Sequence, residues 1–174
     1  MQFQKDASRF RFPWFYKTVI VLGGVLAGLV MCRIFIVPFT VSDDSMRPQF
    51  KRGDRVYIVK HVTPVRGDIV LFHSPLQPDR VLLKRIIAAE GDVVEIREKV
   101  VYLNNKKNNI SRRAVSADRR VFPLSFSRRD NLPAVTIGRK MFFVIGDNVD
   151  FSFDSRSFGP ISAKSVIGRV LYKL

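Results

Sequence analysis

The sequence is poor in the residues that build thiol and metal chemistry. Its 174 residues include one cysteine, Cys32, and two histidines, His61 and His73. A single cysteine forms no intrachain disulfide, and the closed zinc sites of structural domains need more Cys and His ligands than these. We therefore expect neither a disulfide framework nor a metal site, and a catalytic imidazole has only two candidates.

Acidic residues are also scarce. Fifteen Asp and Glu stand against thirty Lys and Arg, which gives a formal net charge of +15. Such an excess favours an anionic neighbour, either nucleic acid or a lipid surface. Hydrophobic residues make up 47% of the chain, which argues against disorder, and the length suits one soluble domain with an appendage.

One stretch lacks ionisable side chains for long enough to enter a bilayer. Residues 18–32 carry none, and the apolar run continues to Val37 if the Arg33 side chain reaches back to the lipid headgroups. Residues 18–37 then supply the roughly 20 residues that a membrane-spanning helix needs. Residues 1–17 are basic and aromatic, as in a cytoplasmic flank with an interfacial belt, which places the N-terminus inside.

A cleavable secretory signal peptide is the alternative interpretation of this stretch, because a basic leader also precedes the hydrophobic part of signal peptides. Arg33 and the bulky residues 35–39 stand where the small residues of a cleavage site would lie, so we prefer the membrane helix. Long domains cross the membrane largely regardless of charge. A basic domain over residues 38–174 is therefore compatible with an extracytoplasmic location.

The pattern changes after Pro38 to short β-type runs separated by Gly-Asp and Pro turns, with no amphipathic helix. It predicts a mainly β domain over residues 38–174. The predicted strands lie at residues 55–59, 69–72, 81–87, 93–96, 100–103, 141–145 and 166–172.

Residues 97–140 differ from the rest of the domain, with paired Lys and Arg residues and Asn- and Pro-containing spacers. One interpretation is a solvated, loop-rich insertion. Another is a patch on anionic lipid headgroups, since each basic residue near such a surface contributes about 1 kcal/mol. Nucleic-acid binding is disfavoured because the segment lacks a regular array of aromatic residues for stacking bases. We therefore predict a phospholipid bilayer, and no nucleic acid, as a partner.

Ser45 and Lys84 form a candidate catalytic pair. Ser45 follows a polar turn just after the predicted membrane helix. A free serine hydroxyl is a weak nucleophile and needs a base within hydrogen-bond reach. Strand alternation places Lys84 on the face of Leu82 and Ile86, where desolvation lowers the pKa of a lysine enough for general-base catalysis.

Both residues also have structural interpretations, since a turn serine is usually structural and an edge-strand lysine can reach solvent. His73 is a rival base at the end of a predicted strand, and it would need an orienting carboxylate such as Asp79 or Asp154. A polar loop at residues 146–159 follows an apolar strand, where loops hold functional groups on a rigid scaffold. A structural Asp–Arg pair explains this loop as well.

Four sequence motifs occur in the same order as in the type I signal peptidases. With the preceding apolar stretch, they resemble this family over roughly residues 15–174. The motifs are Ser45-Met46-x-Pro48, Arg66-Gly67-Asp68-Ile69-Val70, Lys84-Arg85 followed by Glu90-Gly91-Asp92, and Gly146-Asp147-Asn148 with Ser152-x-Asp154-Ser155-Arg156-x-Phe158-Gly159. One motif alone is weak support, whereas four in order are specific.

The resemblance implies a signal-peptidase-like β domain with one N-terminal transmembrane helix. The implied activity is that of a membrane-anchored serine endopeptidase, which removes signal peptides from exported preproteins on the outer face of the cytoplasmic membrane. Cleavage in this family follows small residues, as in Ala-x-Ala, and no cofactor is implied.

The resemblance also implies roles for individual residues. By motif position, Ser45 is the nucleophile and Lys84 is the general base. The implied supporting residues are Asp147, Ser152, Asp154 and Arg156. Among them, Ser152 hydrogen-bonds the lysine amine and orients it, and an ion pair joins Asp154 to Arg156.

Two positions depart from the family pattern. Asp43 stands two residues before the nucleophile, where relatives typically have a small Ser, Thr or Gly, and Gln49 stands where threonine is common. The candidates for binding the oxyanion are the Ser45 backbone N–H, Asp43 and Ser42, but the Asp43 carboxylate would repel a developing oxyanion. We expect either that Asp43 is turned away and Ser42 or a backbone N–H compensates, or that turnover is low.

Other functions share parts of this pattern. A related Ser/Lys processing peptidase, of the conjugation-pilus or organelle inner-membrane type, has the same motifs. Self-cleaving repressors use the same dyad but lack a membrane anchor. A non-catalytic, membrane-associated basic β domain would use Ser45 and Lys84 only structurally, and Asp43 favours that alternative.

Overall fold

The computed structural model describes residues 14–108, 116 and 118–173, which fall into two compact units divided between Phe35 and Ile36. The first unit contains helix α1 (Trp14–Phe35). This helix has 22 residues and a mean hydropathy of 2.2, so it is long and apolar enough to cross a membrane. Most of the predicted basic and aromatic leader, residues 1–13, lies outside the described residues.

The second unit consists mainly of two antiparallel β-sheets. The larger sheet has seven strands in the order β1-β2-β11-β3-β4-β9-β10, and the smaller has four in the order β7-β6-β5-β8. The strands are β1 (Ile36–Thr40), β2 (Arg55–Val59), β3 (Ile69–His73), β4 (Val81–Ala88), β5 (Val93–Arg97), β6 (Val100–Leu103), β7 (Lys106–Lys107), β8 (Leu132–Thr136), β9 (Met141–Ile145), β10 (Ile161–Ser162) and β11 (Val166–Lys173). This architecture confirms the predicted mainly β domain.

All seven predicted strands are present, and the pattern missed four others. Two of the missed strands, β7 and β10, have two residues each and carry no periodic signal. The other two contain a proline, Pro38 in β1 and Pro133 in β8, and both lie at sheet edges, where a proline is tolerated. Helix α1 ends before the predicted Val37 because Ile36 and Val37 pair with β2.

The region predicted as a loop-rich insertion contains β6, β7 and β8, so much of its described part belongs to the smaller sheet. Several of its arginines contact carboxylates; Arg129, for example, lies 2.7 Å from Asp130, and Arg120 lies 3.0 Å from Asp118. Part of its positive charge is therefore neutralised within the domain. Residues 109–115, which include one of the predicted basic pairs, lie outside the described residues.

Strand β4 holds the central position that the site depends on. It pairs with β3 on one side and β9 on the other, and every residue after Val81 is buried. Leu82 and Ile86 pack into one hydrophobic cluster, and Leu83 packs into another. A polar side chain in the middle of this strand is therefore enclosed by apolar residues, and it needs specific partners.

Candidate active site

The turn that carries Ser45 is fixed by the core on both sides. Val41, Met46 and Phe50 belong to one buried cluster with strands β2 and β3. The Phe50 N–H donates to the Met46 carbonyl at 2.9 Å, and the Gly53 N–H donates to the Val41 carbonyl at 2.9 Å. The apolar neighbours therefore hold the intervening polar residues in one place, and Ser45 itself is only 3% exposed.

The structure brings Ser45 and Lys84 together across 39 residues of sequence. Lys84 Nζ lies 2.6 Å from Ser45 Oγ and donates a hydrogen bond to it. The lysine is 1% exposed. Burial lowers the pKa of Lys84, although the nearby carboxylates of Asp43 and Asp154 oppose this effect. The contact has the distance and the partner that a Ser/Lys dyad requires.

The Asp43 carboxylate points toward Ser45 and Lys84. Its Oδ1 accepts hydrogen bonds from Ser45 Oγ at 2.6 Å and from the Ser45 backbone N–H at 3.0 Å. Its Oδ2 lies 3.9 Å from Lys84 Nζ. Partial burial alone would raise the pKa of Asp43, but the charge of Lys84 and the hydrogen bonds from Ser45 outweigh it and lower the pKa.

Of the two alternatives for Asp43, the structure does not show the one in which its carboxylate is turned away from the nucleophile, and low turnover stays a prediction. The Asp43 carboxylate accepts the hydrogen bond of the Ser45 backbone N–H, the group that was expected to bind the oxyanion. Ser42, the proposed substitute, is exposed and forms no hydrogen bond within the part of the chain that the structure describes.

The Gly146-Asp147-Asn148 motif clamps the backbone of the Ser45 turn. The Asn148 N–H donates to the Ser45 carbonyl at 2.9 Å, and Asn148 Nδ2 donates to the Asp44 carbonyl at 3.2 Å. A Cβ atom on Gly146 would lie 2.5 Å from the Ser45 carbonyl oxygen and 2.2 Å from Ser152 Oγ. Only glycine allows the two segments to approach this closely.

Replacing Gly146 with alanine is expected to displace the Ser45 backbone and to lower the rate of the preprotein cleavage that the resemblance implies, on the order of 10²-fold, because a shift of about 1 Å can have that effect. Gly138→Ala is the matched control, since its Cβ would meet the Met141 side chain at an ordinary distance of 3.4 Å or more. Rates of preprotein cleavage by the two variants check this prediction. Equal rates would contradict it.

Asp154 and Arg156 form the buried ion pair that the motif predicted. Arg156 Nε and Nη2 each donate to a different Asp154 oxygen at 2.8 Å. Asp154 also accepts the Gly146 N–H at 3.0 Å and caps the short helix α2 (Ser155–Phe158) through the Arg156 N–H. Arg156 further donates to the Val149 carbonyl at 2.9 Å. The pair therefore fixes the shape of the loop that holds the Ser45 turn.

Arg85 is a site residue that the sequence reasoning missed. Its Nε and Nη2 donate to both oxygens of Asp147 at 2.8 and 2.7 Å, and its Nη1 donates to the Gly67 carbonyl at 2.8 Å. Its Nη2 also donates to Gln49 Oε1 at 2.6 Å. One guanidinium thus joins three of the four motifs to the Ser45 turn. The available signal was a second charged residue inside a strand that is otherwise apolar, since such a charge needs a partner.

Ser152 lies in the same loop but does not form its predicted bond. Ser152 Oγ is buried, and it has no hydrogen-bond partner among the residues that the structure describes. The amine of Lys84 instead donates to Ser45. The orientation of the lysine therefore comes from Ser45 and from the packing around β4 in this structure.

The rival base, His73, lies away from this group. It is exposed at the end of β3, and its Nδ1 lies 2.8 Å from the Pro78 carbonyl oxygen. No hydrogen bond links it to Ser45 in the described ranges. The structure therefore does not support a Ser–His arrangement.

A second ionic group connects the basic insertion to this loop. Lys99 and Arg129 lie 3.7 and 3.6 Å from Asp150 Oδ1, and Asp150 is in a short 3₁₀ turn after the Gly146 motif. Arg129 also offers its carbonyl to Arg156 Nη1 at 3.2 Å. The insertion therefore stabilises this loop through Lys99 and Arg129. The local sequence pattern did not reveal these contacts.

Comparisons with known proteins all indicate the same family. The sequence profile described as "Signal peptidase, peptidase S26" matches residues 12–174. Signal peptidase I V of Bacillus subtilis (strain 168) is 34% identical over 165 residues, which are 89% of this chain and 94% of the relative. Signal peptidase IB of Staphylococcus aureus (strain COL) is 30% identical over 155 residues, 83% of this chain and 80% of the relative.

A crystal structure of a signal peptidase I from Enterococcus faecalis V583 is 33% identical in sequence, with a TM-score of 0.47, and covers 64% of this chain and 98% of its own. The profile match includes all four motifs, and the two curated relatives each align over most of the chain. The chain therefore belongs to the signal peptidase I family of serine peptidases.

Proposed function

We propose that the protein is a membrane-anchored serine endopeptidase that cleaves N-terminal signal peptides from exported preproteins. The observation that carries this proposal is the buried contact of 2.6 Å between Lys84 Nζ and Ser45 Oγ, in a chain of the signal peptidase I family. Burial lowers the pKa of Lys84, which is the direction that favours a neutral amine acting as a general base.

Acylation uses the two side chains in sequence. The neutral Lys84 amine accepts the hydroxyl proton of Ser45, and Oγ forms a bond to the scissile carbonyl carbon. The C–N bond then breaks, and the Lys84 ammonium returns the proton to the leaving amine. The products are an acyl-enzyme on Ser45 and the free N-terminus of the mature protein.

Deacylation repeats the same proton movements with water. The Lys84 amine accepts a proton from a water molecule, and the resulting hydroxide attacks the acyl carbon. Ser45 Oγ leaves and recovers its proton from Lys84, which returns both groups to their starting state. The signal peptide is released with a free carboxyl group.

Supporting residues hold these groups in position. Asp154 and Arg156 shape the loop behind the Ser45 turn, and Arg85 with Asp147 links that loop to β4. We assign them positioning roles, since neither pair contacts the reacting atoms in this structure. The substrates that fit the family are preproteins with small residues before the cut, as in Ala-x-Ala.

The anchor in this proposal is α1. Its large apolar side chains, such as Leu22 and Leu26, are exposed, as lipid-facing side chains are. The basic leader favours an N-terminus in the cytoplasm, which places the β domain on the extracytoplasmic side of the inner membrane in a single pass. The phospholipid bilayer is then the second partner, and no nucleic acid is involved.

A processing assay tests this function. Membranes containing the full chain are mixed with a labelled preprotein, and the mature N-terminus is sequenced. We expect cleavage after a small residue by the wild type, loss of cleavage with Ser45→Ala, and unchanged cleavage with Ser157→Ala, which removes an exposed hydroxyl from a serine of helix α2.

Persistence of cleavage in Ser45→Ala would exclude Ser45 as the nucleophile. A wild-type chain that leaves the preprotein intact, while still folded in the membrane, would favour the non-catalytic alternative. A related processing peptidase with a different preprotein set would be recognised by a different mature N-terminus.

A further inference from the structure

We propose that Asp43 keeps the free enzyme latent, because its carboxylate occupies both hydrogen bonds that Ser45 needs for catalysis, and that a bound substrate must displace it. This inference rests on the proposed function. It starts from the two contacts of Asp43 Oδ1, at 2.6 Å to Ser45 Oγ and 3.0 Å to the Ser45 backbone nitrogen.

The contact with the Ser45 backbone N–H blocks stabilisation of the oxyanion. When Ser45 Oγ attacks a carbonyl, the negative charge develops on an oxygen next to the nucleophile, and the backbone N–H of the nucleophile is a donor suited to bind it. In this structure that N–H already binds the Asp43 carboxylate. Two anions cannot share the donor at close range, so the carboxylate must leave before an oxyanion forms there.

The contact with Ser45 Oγ directs the hydroxyl proton away from the base. An ionised carboxylate only accepts hydrogen bonds, so the single proton of Ser45 Oγ lies toward Asp43. Lys84 Nζ is then the donor in its contact with Ser45. Acylation needs the opposite arrangement, with the Ser45 proton directed at a free lone pair on Nζ. When Asp43 withdraws, the Ser45 hydroxyl can rotate so that its proton points at Lys84 Nζ.

Asp43 also favours the protonated, inactive form of Lys84. Apart from burial, the charges that act on Lys84 are the carboxylates of Asp43 and Asp154, which favour the ammonium, and the guanidinium groups of Arg80 and Arg156, which disfavour it. Asp43 is the nearer carboxylate in this balance, at 3.9 Å. Removing its charge lowers the pKa of Lys84 further, so more of the amine is neutral at a given pH.

Displacement is feasible because Asp43 is the member of the group that can reach water. Its side chain is 36% exposed, whereas Lys84 is 1% exposed and Ser45 is 3% exposed. It lies in a turn between two anchored residues, Val41 and Met46, and its neighbour Ser42 is exposed. A carboxylate that rotates outward therefore exchanges its bonds to Ser45 for water, without opening the core.

Three variants test this inference in the processing assay, with kcat and KM measured across a range of pH. Asp43→Gly removes the carboxylate, and Asp43→Asn keeps its size without the charge. Glu98→Gln is the control, because it removes an exposed carboxylate from the turn between β5 and β6, outside the site.

We expect both Asp43 variants to raise kcat, with Asp43→Gly gaining about 10-fold or more, since a freed oxyanion donor can contribute 10²–10³ in rate. The acid limb of the pH profile is expected to move to lower pH in both variants. The reason is that Lys84 loses the carboxylate that favours its ammonium form, so its pKa falls. Glu98→Gln is expected to keep the wild-type kcat and pH profile.

The outcomes separate this inference from the proposed function. Wild-type cleavage that depends on Ser45, together with an unchanged kcat and acid limb in both Asp43 variants, would overturn the latency and leave the function intact. A slower Asp43→Asn enzyme would show that the carboxylate assists catalysis, which also overturns it. If neither the wild type nor any variant cleaves, the function and the inference fall together. Asp43→Asn decides the question if Asp43→Gly does not fold.

Discussion

Replacing Lys84 with methionine is expected to reduce preprotein cleavage by about 10²–10⁴-fold, the usual contribution of a general base, while the folded domain remains at least as stable. Methionine has a similar length and no charge. The lysine is buried on the strand face of Leu82 and Ile86, where holding an ammonium group costs free energy. The variant removes the base and that cost together.

The stability of this variant relative to wild type is expected to depend on pH. The folded state lowers the pKa of Lys84 below its ordinary 10.5. Between the lowered value and 10.5 the unfolded chain binds more protons, so the wild type gains stability as pH rises. The advantage of Lys84→Met is therefore fully present below the folded pKa and shrinks as the pH approaches 10.5.

Urea unfolding at several pH values, together with cleavage rates, checks both parts. Leu82→Met is the control, since it places methionine on the same face without removing a charge, and it is expected to cleave normally. An active Lys84→Met enzyme would exclude the dyad. A large loss of stability in the variant would show that Lys84 is a structural residue.

Replacing Asp154 with alanine is expected to lower the free energy of unfolding by about 3–5 kcal/mol, the range for removing one partner of a buried ion pair. Asp154 is 0% exposed and Arg156 is 4% exposed. The change leaves the guanidinium without its carboxylate, the Gly146 N–H without an acceptor and helix α2 without its cap. Cleavage is expected to fall as well, because the Gly146 segment holds the Ser45 turn.

Two further variants identify the cause of this loss. Arg139→Ala breaks a surface contact of 3.8 Å to Glu90, with the arginine side chain 90% exposed, and should cost at most about 1 kcal/mol. Adding Arg156→Met to Asp154→Ala removes the unpaired charge, and we expect it to recover part of the stability. A double variant less stable than Asp154→Ala would contradict the electrostatic explanation.

Much of the β domain was predictable because its strands carry local signals. Runs such as 81–87 and 141–145 are apolar and bounded by turn residues, so their positions follow from the sequence alone. The sequence pattern did not predict strands β1 and β8, because Pro38 and Pro133 oppose strand formation locally. Only pairing at a sheet edge offsets this effect.

The site was predictable in its members and less so in its contacts. Lys84 stands out as a cation within an apolar strand, and the motif order indicates Ser45. The partner of Arg85 is 62 residues away, and no local pattern selects Asp147 over another carboxylate. The sequence also left the side-chain direction of Asp43 open, since this direction depends on the folded turn and on the buried amine of Lys84.

The adjacency of Lys84 and Arg85 on β4 makes strand alignment a determinant of activity. The two side chains leave opposite faces of the strand, one toward Ser45 and the other toward Asp147. A slip of one residue against β3 would exchange them and present Ser45 with a guanidinium, which does not deprotonate in proteins. Such a chain would retain its sheet and lack a base. The bulge between Ile86 and Ala88, opposite β9, interrupts the regular ladder beside Lys84 and Arg85. It therefore disfavours the inactive fold with this shifted register.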